Sequence, residues 1–390
     1  MKRKWLRIDK ILLFSLALFS ISLSFDPDWS SKALILVCVF SFFGFRSANV
    51  KKIRLPFFVI TLVVLFTLTS SFLHNTLAQP EIYSIPGTML IFFLTIAINE
   101  RIGWQHIKLA LFFFTLGVGL VGLSNLVLFF FNGGVLSNIY GSWNDISMID
   151  IHKTYYAAFV NLLTAISWHF TFERGVWRKW IHVGILIFSW IMFYFMGSKS
   201  GMGVNVLLNL LFVFQFLKIN RFKTIVSLIS LAPILMLVLM SFSYVQHCFI
   251  LFEGEASRVR NYNINKELIL KKPILGYGTG NEFNMMQQSR DPKSWEYKNR
   301  YNAHNEYLHV LLGGGIVLLI LYMLIFYLVF QCTSSRFMLP AYFLVVIAYV
   351  CMIESFLERH HGVFLVAFFV NLFYRAKGIG LNYENKGIIG

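Results

Sequence analysis

The sequence predicts an all-α polytopic membrane protein with about twelve transmembrane helices and one large loop between the ninth and tenth. Three observations predict it. Hydrophobic residues make up 57% of the 390 and charged residues only 13%, where an ordinary soluble domain is about 25% charged. Mean hydropathy is +0.66. The apolar residues fall in continuous runs approaching the roughly 20 residues a helix needs to cross a bilayer. They do not alternate as in a transmembrane barrel strand. This composition excludes a water-soluble enzyme, a disordered chain and a disulfide scaffold.

In order, the apolar segments are 11–25, 33–45, 56–73, 83–98, 108–131, 154–172, 181–196, 202–217, 224–243, 306–330, 337–353 and 362–374. The first follows Met1-Lys2-Arg3-Lys4 and resembles a signal peptide. Asp26-Pro27-Asp28-Trp29 stands where a small-residue cleavage site would be, so it reads as an uncleaved first helix. The organisation expected is helices one to nine over 1–243, a loop with short helices over 244–304, and helices ten to twelve with a tail over 305–390.

Charge tests the topology. With the N-terminus in the cytoplasm and alternating spans, the cytoplasmic segments hold 21 Lys and Arg. The outer side holds four outside the long loop: Lys32, Lys153, Lys199 and Arg359. That is the asymmetry of the positive-inside rule, with both termini cytoplasmic. Much of the net charge of +16 is therefore topological and calls for no nucleic-acid partner.

The long loop breaks the pattern by carrying nine Lys and Arg on the outer side. Two readings stand: a site for an anionic ligand such as a phosphate or acidic sugar, or a solvated loop near lipid headgroups. Within it, 258–270 reads as a short helix capped by Ser257 and ended at Lys271-Lys272-Pro273. Arg258 and Arg260 fall in its first turn, where cations are unfavourable unless an anion binds the free backbone N–H groups. The alternative is two ordinary surface arginines. Gly276-Tyr-Gly278-Thr-Gly280 lacks the Lys-Ser/Thr of a P-loop and the strand–helix setting of a dinucleotide site, so it reads as a tight turn bringing Arg258 toward the membrane.

His304 and Asn305 stand where the loop re-enters the membrane, followed by Gly313-Gly314-Gly315. A histidine there suits a general base near neutral pH; the plain alternative is a capping residue. Small residues in a membrane helix allow close packing. Lys199 in Gly197-Ser-Lys-Ser-Gly201, Lys153 in Asp150-Ile-His-Lys-Thr-Tyr-Tyr156, and Glu358-Arg359 also mark outer helix ends. Ionisable residues near a membrane are functional hypotheses by default, and their gathering on one face points to one site. A structural ion pair is the other reading of Glu358 and Arg359. The cysteines Cys38, Cys248, Cys332 and Cys351 form no CxxC and no metal-ligand spacing.

These motifs resemble those of the O-antigen ligase/polymerase family. His304-Asn305…Gly315 is similar to its His-Asn/Ser…Gly-x-x-Gly signature, with Leu318 at the last position. Arg258…Tyr262 with Pro273…Gly276-Tyr-Gly278 resembles its Arg…aromatic…Pro-x-x-Gly-x-Gly segment. The 197–201 turn resembles its Ser-Arg-Gly turn with Lys for Arg, which keeps the charge and loses the bidentate fork. The 152–156 and 354–359 stretches resemble Bacteroidota versions. The likeness covers 150–375 best.

The resemblance implies a GT-C-like fold with a large periplasmic loop, in the bacterial inner membrane. It implies a metal-independent, inverting transfer of a glycan from undecaprenyl pyrophosphate, without cofactor. Arg258 and Lys199 would hold the pyrophosphate, with Arg260 as helper. His304 would activate or orient the acceptor hydroxyl. Asn305, Tyr262, Lys153 and Arg359 would complete the substrate contacts. The acceptor is lipid A–core for a ligase or a growing glycan for a polymerase. A lipid-linked glycan flippase is the reading from another class; it would place charges near the midplane and often show repeated halves, whereas here they gather at one face.

Overall fold

The computed structural model describes residues 2–42, 54–77, 79, 81–143, 151–171, 176–216, 256–334 and 337–379. Among them the chain is helical, with no strand beyond a single bridge between Ser334 and Phe337. The long helices are α1 (Lys2–Ser22), α2 (Pro27–Phe42), α3 (Arg54–Leu73), α4 (Glu81–Phe92, continued as a π turn over Phe93–Ala97), α5 (Trp104–Phe131), α6 (Lys153–Thr171), α7 (Val176–Met196) and α8 (Lys199–Phe216). Then come α9 (Ala256–Lys271), α10 (Glu282–Gln288), α11 (Trp295–Lys298), α12 (Glu306–Phe330), α13 (Leu339–Ile353) and α14 (His360–Gly378). Eleven of the twelve apolar segments coincide with helices; the ninth, 224–243, lies outside the described residues.

Among the described residues three helices are long and apolar enough to cross a membrane: α3, α5 and α12. Their outer surfaces agree. On α5 the face Phe112, Leu116, Leu120, Leu123 and Val127 is exposed, while Ile107, Leu111, Phe114, Val118 and Val121 are buried. A helix apolar on both faces, one packed and one bare, suits lipid rather than water. Shorter apolar stretches run over Ser84–Ala97, Trp180–Met196, Lys199–Val213 and Leu339–Ile353.

The core sits around α14, which is buried continuously from His361 to Ala376. A helix hydrophobic all round belongs at the centre of a bundle. Phe368 packs against Phe19 of α1 at 5.3 Å, and Phe369 against Phe114 of α5 at 5.1 Å and Phe343 of α13 at 5.5 Å. Offset and edge-on aromatic pairs of this kind add to the burial of their area.

The helix ends that the charge pattern assigns to the outer side meet in space. The Tyr155 hydroxyl at the start of α6 donates to the Ser355 carbonyl after α13, and His361 Nε2 contacts the Phe25 carbonyl after α1. At the other end Arg101 pairs with Asp9 at 3.4 Å, and Arg375 donates to the Glu100 and Ile102 carbonyls.

The feature that positions the site is a break in α12. Gly315 has φ +60° and ψ −161° inside the helix. A broken helix frees backbone groups that need partners at membrane depth. The segment 273–278 supplies them. Tyr277 N–H donates to the Leu312 carbonyl at 2.7 Å and Gly278 N–H to that of Gly313 at 2.9 Å; Ile316 N–H donates back to the Pro273 carbonyl at 2.9 Å. The approach is so close that a Cβ on Gly276 would lie 2.5 Å from the Leu312 carbonyl oxygen. The glycine-rich turn is thus tight, but what it grips is the broken helix.

Candidate active site

The turn is also sewn to the end of α3. The Thr279 hydroxyl lies 2.7 Å from Ser71 Oγ and donates to the Thr67 carbonyl at 3.0 Å, while Thr76 Oγ1 donates to the Thr279 carbonyl at 2.7 Å. Buried hydroxyls without such partners would cost stability. Between α3, the start of α4, α10 and the first turns of α12 this leaves a cleft of about 580 Å³. Glu282, Glu306, His309, Glu358 and Arg300 line it, with Tyr322 deeper along α12.

Each charged group is placed by a local device. Asn305 caps α12: its Oδ1 accepts from Leu308 N–H at 3.0 Å and its Nδ2 donates to the Met352 carbonyl at 3.0 Å. Glu306 follows, 3% exposed; its Oε2 accepts from Leu357 N–H at 2.9 Å, and its Oε1 is buried with no hydrogen-bond partner. One turn on, His309 Nδ1 lies 3.4 Å from Glu358 Oε1, an ion pair when the imidazole is protonated. Glu358 Oε2 accepts from Asn302 Nδ2 at 2.7 Å. Burial in α10 pushes the Glu282 carboxyl up, against the opposing pull of His309.

His304 stands beside this cleft. Its φ of +47° is a left-handed conformation that a non-glycine residue adopts only when held there. The holding is visible. His304 N–H donates to Asn302 Oδ1 at 3.2 Å. Asn261 Nδ2 clamps the Asn302 and Ala303 carbonyls, and buried Arg290 holds Asn261 Oδ1 in turn. The imidazole packs on Tyr301 with centroids 4.1 Å apart, and its Nδ1 lies 3.3 Å from Glu354 Oε2, a charge contact off the hydrogen-bond direction.

Burial alone would push the Glu354 carboxyl up, but His304, His152 and Arg359 outweigh it and hold it below the ordinary carboxylate value. Burial lowers His152. The sign for Glu354 follows from its depressed folded value. The stability it contributes is present above the unfolded carboxylate value, about 4.3, and is lost as the pH falls through the folded one. The thermal midpoint of the native chain should exceed that of Glu354→Gln near neutrality, and the gap should close on acidification below about pH 4. A gap independent of pH would disprove the pairing.

The other predicted residues are distributed as follows. Lys153 opens α6 next to His152, and Arg359 is the exposed N-cap of α14, so both share the Glu354 neighbourhood. Glu358 turns to His309 and Asn302 rather than to Arg359. Lys199 is exposed at the start of α8, where Ser200 and Gly201 adjoin Thr154 of α6 and Ile353 of α13. Arg260 grips buried Glu296 from Nη2 at 2.7 Å and Nε at 3.0 Å, so its guanidinium braces the loop. Tyr262 is exposed on α9. Arg258 lies in the first turn of α9, which begins at Ala256, so Ser257 is inside the helix rather than its cap; the Arg258 side chain is outside the described residues.

Sequence reasoning gave no role to Glu306, His309, Glu282 or Asn302. A signal existed for the first two: Glu306 and His309 are three apart in an otherwise apolar helix, so they share a face. Glu282 and Asn302 carried none, since only the docking of the loop brings them in.

The arrangement gathers buried carboxylates and imidazoles at one set of helix ends, beside a loop rich in cations. That suits acid–base work on a hydroxyl-bearing substrate with an anionic group. Comparison with curated proteins finds no match for this chain. The family model for O-antigen ligase matches residues 184–323, which run from within α7 through most of α12 and include His304, Asn305 and the glycine turn. Over those residues the chain is similar to the O-antigen ligase family.

Proposed function

We propose that the chain is an O-antigen ligase, moving a glycan from undecaprenyl pyrophosphate to lipid A–core on the periplasmic face of the inner membrane. The observation that carries this reading is the match to the O-antigen ligase family over 184–323; that stretch includes the cleft-lining Glu282, Glu306 and His309. Arg258 and Lys199 hold the pyrophosphate, whose departure needs cations rather than a proton. His304, locked by Asn302 and Glu354, orients the acceptor sugar. The donor is displaced with inversion and without a metal. A lipid-linked donor explains a site at the ends of the helices. Both termini then face the cytoplasm, and residues 244–304 form the periplasmic loop.

The test is deletion of the gene, with complementation by the native chain, His304→Ala and Arg258→Ala, read on silver-stained envelope glycolipid. Loss of all polymer on lipid A, with lipid-linked polymer accumulating, is the ligase result, and neither variant should restore it. Core bearing a single repeat unit would replace ligation by polymerisation of repeat units. Full complementation by both variants would overturn the site and favour a flippase.

A further inference from the structure

The transfer reading leaves the proton of the acceptor hydroxyl without a destination. His304 is the obvious recipient from sequence, yet it is not among the residues lining the cleft. Within the cleft, among the described residues, a carboxylate oxygen is left without a donor. Glu306 is 3% exposed and its Oε2 is engaged by Leu357 N–H, but Oε1 is buried without a hydrogen-bond partner and the residue faces the cavity. A buried carboxylate oxygen with no donor carries an uncompensated desolvation cost. A ligand hydroxyl placed there would relieve it.

The surroundings specify the ligand class. Glu282 and Glu358 present further acceptors along the same cleft, where His309 lies one turn from Glu306 and 3.4 Å from Glu358. Arg300 sits exposed at the cleft, stacked over Phe283 at 4.9 Å. Among the described residues these carboxylates are not gathered into a group that could hold a metal ion. Spaced acceptors in a cleft of about 580 Å³ match a polyhydroxylated ring.

We propose that this acidic cleft binds the acceptor sugar and that Glu306 is the general base of transfer. The inference rests on the function proposed above. The acceptor O–H proton passes to Glu306 Oε1 as its oxygen bonds to the anomeric carbon of the donor. The bond from that carbon to the pyrophosphate oxygen breaks, and its electron pair leaves with the lipid pyrophosphate. Glu306 returns the proton to water through the cleft. His304 is then a positioning residue.

The test uses the purified full-length chain, with undecaprenyl pyrophosphate-linked glycan extracted from cells lacking the protein as donor and their lipid A–core as acceptor. Glu306→Gln keeps an oxygen for Leu357 N–H, so its melting temperature should match the native one. Its kcat should fall a hundredfold or more, the usual scale for loss of a general base, with KM for donor within about threefold on the same ground. Glu306→Ala should regain at least tenfold in rate with added formate, which a merely structural carboxylate would not allow. Transfer by Glu306→Gln within tenfold of native, with no formate rescue of Glu306→Ala, overturns the assignment while native transfer keeps the ligase reading. If the native chain transfers to neither lipid A–core nor a second donor molecule, the functional reading itself fails and this inference falls with it.

Discussion

Gly315→Ala is expected to destabilise the protein by about 3–5 kcal/mol and to abolish function with it. The reasons are local and additive in kind. Gly315 occupies a region of backbone space that side-chain-bearing residues avoid, a strain of about 1–3 kcal/mol. There is also no room: a Cβ would stand 2.2 Å from the Ile274 carbonyl oxygen, which is backbone and cannot swing aside. Segment 273–278 would have to lift away. That breaks the bonds from Tyr277 and Gly278 into α12 and from Ile316 into the loop, and each buried group left unpaired costs about 1–3 kcal/mol. The cleft goes too, because Thr279 and Glu282 are carried on the same segment. Thermal unfolding in detergent and limited proteolysis of 273–304 would report it. Gly119→Ala on α5 is the control: a Cβ there meets nothing within 4 Å, so the change should be neutral or stabilise by up to about 1 kcal/mol. Equal behaviour of the two variants would contradict the docked break.

Arg258→Ala should lower the rate of glycan transfer by about 10²–10³, the usual consequence of removing one charge-stabilising donor from a leaving group. Arg258→Lys should recover part of it, because the charge survives and the fork does not. Lys199→Ala should act in the same direction. If both cations hold one pyrophosphate, the double variant should lose less than the product of the single losses, since residues acting as a unit are non-additive. Initial rates with purified variants decide this. Multiplicative losses would place Lys199 and Arg258 on different groups, and an unaffected rate in both would remove the pyrophosphate from this end of the molecule.

Much of the site region was legible in the sequence. The helix α12 runs from Glu306 to Phe330 as its hydropathy required, whereas Asn305, read from the sequence as a substrate contact, stands at its N-cap. The structure brings the helix ends that the charge asymmetry assigns to the outer side together around His304, Glu354 and His152. Arg260 was less legible. Its place in a first helical turn suited an anion, yet its partner is Glu296, thirty-six residues away in sequence.

Composition and periodicity by themselves determined that the chain is a helical membrane protein and where its described helices run, and the short motifs carried the family resemblance. These properties arise from interactions a few residues apart, or from the solvent, so they are written locally. Only the tertiary structure decided that Gly276-Tyr-Gly278 clasps a broken α12, that Thr279 ties it to α3, and that Glu282, Glu306, His309 and Glu358 share one cleft. Those depend on chain segments as much as two hundred residues apart meeting at bonding distance, a matter of packing geometry that no local pattern encodes.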